Sequence, residues 1–161
     1  MSAQIGAPAA AARAHEELFG YWASLRRGAR LPARLQIDPR DIKRLLPTVS
    51  LIDVVRDPLD FRMRLAGTAL YGVYGREITG KKLSEIYNTS AADYWRTELG
   101  KVARDGRPAA GVHNLAWRGA AHLSILWLRL PLASNGRDVD MILGLDAVVG
   151  MTQAQSGIRA A

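Results

Sequence analysis

The chain has 161 residues, 22 basic and 15 acidic, for a net charge of +7, and 48% of it is hydrophobic. That is one ordinary domain, long enough to bury a real core. With no cysteine, disulfides, thiolate metal sites and cysteine nucleophiles are all removed, and no apolar run approaches the ~20 residues that span a bilayer.

Residues 1–11 are small and featureless and are expected to be a disordered N-terminus. They lack the basic start and solid apolar stretch of a secretory signal, so a cytoplasmic location is expected. From Ala12 to Leu25, the residues Leu18, Tyr21, Trp22 and Leu25 recur at helical spacing, and Gly28 closes the helix. This apolar stripe needs a partner. A second copy of the helix is one candidate, which makes Leu18, Trp22 and Leu25 a candidate homodimer interface. Pro32 makes the stretch Leu31–Ile37 an extended connector. Asp38-Pro39-Arg40-Asp41 is a helix start, with Ile42, Leu45 and Leu46 as the buried face and Pro47 as the stop.

Val49–Val55 is β-branched and apolar, a buried strand. Arg56-Asp57-Pro58-Leu59 is a turn. In Asp60–Ala66 the residues Phe61, Met63 and Leu65 alternate with Arg62 and Arg64, completing a hairpin. Asp53 interrupts its strand and is expected to pair with Arg62 or Arg64. Glycines 67, 72, 75 and 80 then mark short turns and helices. Their spacing is neither a dinucleotide fingerprint nor a P-loop, and Gly80-Lys81-Lys82-Leu83 lacks the Ser/Thr that would reach magnesium. Ser90-Ala91-Ala92-Asp93 has the form of a capping box. It opens a helix with Trp95, Leu99 and Val102 on one face, closed by Gly106 and Pro108. Strands follow at Ala109–Trp117 and Ala121–Leu130. Ser134-Asn135-Gly136-Arg137 is a hairpin turn. In the last strand Val139, Met141, Leu143 and Leu145 alternate with Asp140 and Asp146, which are expected on a solvated face. The chain thus divides into 1–11, the N-terminal helices and connector at 12–47, a core at 48–148 and a tail at 149–161. Two strands, a helical middle and three strands make an α+β antiparallel sheet with a helical crossover over one face. A cavity beneath the crossover follows naturally.

The motifs Trp22, Leu25-Arg26-Arg27-Gly28, Leu31-Pro32-Ala33-Arg34, Asp38-Pro39, Leu45-Leu46-Pro47 and Leu51-Ile52-Asp53-Val54 resemble a PAS-fold family. So do Phe61–Thr68, Gly75–Gly80 and Leu130-Pro131-Leu132. That family consists of short, mostly alphaproteobacterial proteins and was formerly a domain of unknown function. The likeness runs from about Trp22 to Leu145. It implies a five-stranded sheet in the order 2-1-5-4-3 and signalling by ligand or partner binding, and it brings no catalytic residues.

Candidate pocket residues beneath the crossover are Met63, Tyr71, Tyr74, His113, Trp127 and Met141, the tyrosines combining an apolar ring with a polar tip. The cofactor is unknown. The absence of cysteine excludes flavin–cysteine photochemistry of the kind some PAS domains perform. The crossover helix Ser90–Asp105 has no histidine. His113 lies on the next strand, where a lone histidine is more often structural, and this argues against haem. His113 and His122 could face each other across the turn at Arg118-Gly119, yet no third ligand completes a metal site. No acid–base set or nucleophile elbow stands out, and Ser124 lies mid-strand. Arginine supplies 18 of the 22 basic residues, scattered from Arg13 to Arg159, a poor fit to a nucleic-acid reading surface. The expectation is a stand-alone sensory or regulatory module, not an enzyme, that binds a small ligand or protein partner and signals by association. The alternatives are a small charge-driven nucleic-acid-binding protein and a small α+β enzyme.

Overall fold

The computed structural model describes residues 5–150. Helix α1 spans Pro8–Ser24, starting on a proline whose missing N–H costs nothing at that position. It begins inside the segment expected to be unstructured. Three single turns lead through the connector; in the second of them Asp38 accepts from the Arg40 amide at 2.9 Å. Strands β1 (Val49–Val55) and β2 (Asp60–Ala66) form the first hairpin. The crossover consists of α2 (Leu70–Tyr74), α3 (Leu83–Ile86) and α4 (Thr89–Asp105). Strands β3 (Ala109–Leu115), β4 (Ala120–Leu132) and β5 (Met141–Gly150) complete one antiparallel sheet in the order β2-β1-β5-β4-β3. No helix among the described residues is long and apolar enough to cross a membrane. Residues 151–161, most of the expected tail, lie outside the described residues, and Val149 and Gly150 end β5.

The sheet buries both faces. On one, Ile125, Trp127, Arg129, Ile142, Asp146, Ile52, Phe61 and Met63 meet the crossover, where Trp95, Leu99 and Val102 of α4 are each 1% exposed. On the other, Leu128, Leu130, Leu143 and Leu145 meet α1, whose Leu18 and Trp22 are 0% and 1% exposed. The Trp22 indole donates to the Pro131 carbonyl at 2.8 Å. The stripe read as a dimer interface is therefore buried against its own sheet, and only Leu25 of the three stays partly exposed.

The structure departs locally from the sequence reading at Leu65, at the start of α4 and at Asp146. Leu65 is 50% exposed because a bulge opposite Leu51/Ile52 inserts an extra β2 residue and flips Leu65 away from Phe61 and Met63. The cap of α4 is Asn88, whose side chain accepts from Ala91 N at 2.9 Å, two residues before the expected Ser90. The expected ion pair of Asp53 forms with Arg64, at 2.8 Å on the diagonal, while Arg62 lies directly opposite. Strand β5 lies at the centre of the sheet with both faces covered, so Asp146 is 1% exposed, a correction to its expected solvation.

Candidate functional site

A chain of rings fills the space between α4 and the sheet. Tyr87, on the segment joining α3 to α4, lies 6.0 Å from Trp95 and 4.8 Å from Trp117 between ring centroids. Trp95 meets His113 at 5.4 Å and Trp127 at 5.2 Å, and Tyr94 stacks on His113 at 4.3 Å. The Trp127 ring needs the space above Gly111, since a Cβ there would stand 2.6 Å from the indole. Trp127 Nε1 donates to Tyr94 Oη at 3.0 Å.

Inside these rings lies a charged pair. Arg129 Nη2 stands 2.8 Å from Asp146 Oδ1, with side chains 2% and 1% exposed. Tyr74 donates to Asp146 Oδ2 at 2.9 Å, and Tyr87 donates to Tyr74 Oη at 3.2 Å. Arg129 Nη1 reaches the Leu128 and Leu145 carbonyls, and its guanidinium sits 4.7 Å from the Trp95 ring centroid. Burial opposes charge on Arg129, yet the Asp146 carboxylate together with Tyr74 and Tyr87 outweighs it, and the guanidinium stays firmly protonated. Burial, then the Asp146 charge, raises Tyr74 well above the usual tyrosine range, so its hydroxyl remains a donor.

Ring nitrogens without a hydrogen-bond partner among the described residues gather in the same place: Trp95 Nε1, His113 Nδ1 and Trp117 Nε1. Arg129 Nε and Ser50 Oγ share this condition. A cleft of about 410 Å³ opens beside them, lined by Asn88, Ser90 and Ala91 at the start of α4 and by His113, Asn114 and Trp117.

Of the residues picked from sequence, Tyr74, His113 and Trp127 come together in this cluster. Met63 is buried on the same face but on β2, at the opposite edge of the sheet from His113. Tyr71 is 46% exposed, because the single turn of α2 buries Leu70, Val73 and Tyr74 instead. Met141 begins β5 on the face of Leu143 and Leu145, away from the crossover. His122 is exposed, and the partner of His113 across the hairpin is Ile125, so the two histidines do not meet. Sequence reasoning missed Arg129, Asp146, Tyr87, Trp95 and Trp117. The available signal was a charged residue at an inward position within each of two apolar strands.

Burial lowers both His113 and His15; at His113 the Asp146 charge offsets this only in part, as do the hydrogen bond of Nε2 with the Leu126 carbonyl at 3.1 Å and then the Asp146 charge at His15. With both folded values below the usual 6.5, the unfolded chain binds more protons near and below that pH. Stability is therefore complete above it and falls as pH drops through it. Urea unfolding at pH 7.5 and 5.5 is expected to give the lower stability at pH 5.5, and His113→Phe is expected to flatten the difference.

Residues 10–147 match the family model described as PAS domain. Among solved structures, the chain is similar to the LOV protein of Rhodobacter sphaeroides, with 14% identity and a TM-score of 0.52 over 75% of this chain and 74% of that one. It is also similar to the PAS domain of Bordetella pertussis BvgS, with 17% identity and a TM-score of 0.51 over 77% of this chain and 94% of that one. At these identities the likeness is one of fold. A comparison with curated proteins gave no match.

Proposed function

The chain belongs to the PAS domain family, and on that premise we propose that it is a sensory module whose signal is a small ligand taken up beneath the crossover. The observation supporting this most is the set of unpartnered nitrogens on Trp95, His113 and Trp117 within one aromatic cluster. Folded proteins leave few such groups, because a buried donor without an acceptor costs on the order of 1–3 kcal/mol. A flat ligand carrying acceptor atoms would stack on the rings and satisfy the nitrogens together. The cleft beside His113 and Trp117 is its entrance.

Uptake there would wedge α4 against β3, because His113 and Trp117 belong to β3 and the turn after it, and Trp95 to α4. The sheet would carry the displacement to its other face, where His15 of α1 meets the Leu126 carbonyl. The output is association with a protein partner, in answer to that shift.

Native mass spectrometry of the full chain, followed by identification of whatever denaturation releases, tests this. The expected result is a mass above the 17.6 kDa chain or its dimer that disappears on denaturation and is poorly retained by His113→Ala. A bare mass, both as isolated and after incubation with a small-molecule cell extract, would overturn the ligand reading.

A further inference from the structure

Away from that cluster, four arginines from three separate segments line one surface cleft of about 500 Å³: Arg26, Arg30, Arg107 and Arg137. Arg26 follows α1, Arg30 closes the turn after it, Arg107 follows α4 and Arg137 lies between β4 and β5. One carboxylate, Asp105, shares the lining, and Arg104 outside it already engages Asp105 at 3.3 Å. Like charges brought together from distant parts of a chain repel one another, and the two carboxylates beside them, Asp105 and Asp138, are engaged by Arg104 and Arg137 and leave Arg26, Arg30 and Arg107 without an ion pair among the described residues.

The gathering is built into the fold. Leu31 N donates to the Gly136 carbonyl at 2.7 Å, and Arg30 Nη2 to the Asn135 carbonyl at 2.9 Å. The Arg30 guanidinium lies against Gly136, where a Cβ would stand 2.6 Å from Cζ. Gly136 and Gly106 both take positive φ, 80° and 63°, which turns their loops toward the cleft. Arg26 is held with its guanidinium 5.2 Å from the Trp22 ring centroid, and its Nε is buried without a partner among the described residues. Arg107 makes no ion pair among the described residues. Arg137 engages Asp138 at 3.3 Å with 84% of its side chain exposed.

We propose that this cleft is a binding site for a small compound carrying linked phosphates, of the pyrophosphate type. Planar guanidinium forks match phosphate oxygens two at a time, which suits arginine better than lysine. Four arginines lining one volume, three of them with one terminal nitrogen already engaged by Ala29, Asn135 or Asp138, leave donors enough for several anionic oxygens on adjacent phosphates, more than a single phosphate presents. The volume is that of a small-molecule site. Such a ligand would tie the end of α1, on one face of the sheet, to the end of α4, on the other. The site is independent of the ligand proposed beneath the crossover, and either can fail without the other.

The test is calorimetric titration of the full chain with pyrophosphate, ADP, sulfate and a singly phosphorylated serine peptide, with amide shifts mapped by NMR. Pyrophosphate and ADP should bind more tightly than sulfate or the peptide, and should shift Gly106, Arg107, Gly136 and Arg137. Arg107→Gln with Arg137→Gln should weaken pyrophosphate by about tenfold or more. Lys43→Gln with Arg62→Gln removes the same charge from exposed positions elsewhere and should leave binding unchanged. Absence of binding, equal loss in both double variants, or sulfate or the phosphopeptide binding as well as pyrophosphate would each overturn the proposal.

Discussion

Equilibrium unfolding of Arg129→Ala is expected to show a loss of about 3–5 kcal/mol, with Asp146→Ala losing a similar amount. Each change leaves one charge in a site where both side chains are at most 2% exposed. The stranded Asp146 would keep its hydrogen bond from Tyr74 but lose the cation that holds its charge. A stranded Arg129 would keep the Leu128 and Leu145 carbonyls and the Trp95 ring face, but no anion. The double variant Arg129→Met with Asp146→Leu separates the pair's worth from the penalty of breaking it. Desolvating two ions offsets most of their attraction, so this apolar replacement should recover much of the loss. Single variants losing under about 1 kcal/mol would mean the pair is hydrated. A double variant as unstable as the singles would mean that the shape of Arg129, lying over Gly144 and along Trp95, matters more than its charge.

That pair also marks the limit of what the sequence displays. Strands were legible because their alternation, β-branched content and bounding turns are local: Val49–Val55 and Asp60–Ala66 appear in the structure with those same bounds. The sheet order 2-1-5-4-3 came through resemblance, since pairing is non-local. The cluster beneath α4 was only partly legible. Tyr74, His113 and Trp127 stood out as polar-tipped or isolated residues at inward positions. Asp146 was misplaced because alternation reports which residues share a face, and not whether that face is covered. Strand β5 is central, so its second face lies under the crossover. Leu65 was misplaced for a different reason, the bulge at Leu51/Ile52 that resets the period of two. The arginine cleft was illegible for a third. Residues 26 and 30 meet 137 where the connector hydrogen-bonds to the β4–β5 loop, and 107 joins them from the end of α4, all non-local placements.

Trp22→Ala is expected to cost about 3–5 kcal/mol of chain stability, in the range for burying a large aromatic side chain and then deleting it. The helical stripe alone was compatible with two uses, packing on the chain's own sheet or pairing with a second copy. The structure buries Trp22 and Leu18 completely, and the Trp22 indole reaches the Pro131 carbonyl. Pro131 lies beyond Arg129, the last β4 residue that β3 pairs, so its carbonyl is free to accept from outside the sheet. Trp22→Phe, which keeps much of the ring and removes the N–H, should lose roughly 1–3 kcal/mol for the carbonyl left without its donor. Phe19→Ala, at a site 44% exposed on the same helix, should change stability by less than about 1 kcal/mol. Urea unfolding gives these values, and light scattering during size-exclusion chromatography gives the oligomeric state of each variant. Loss of stability at an unchanged oligomeric state means that α1 is part of the domain core. Dissociation of a dimer by Trp22→Ala, with monomer stability intact, would return the helix to the role of interface and require α1 to leave the sheet in solution.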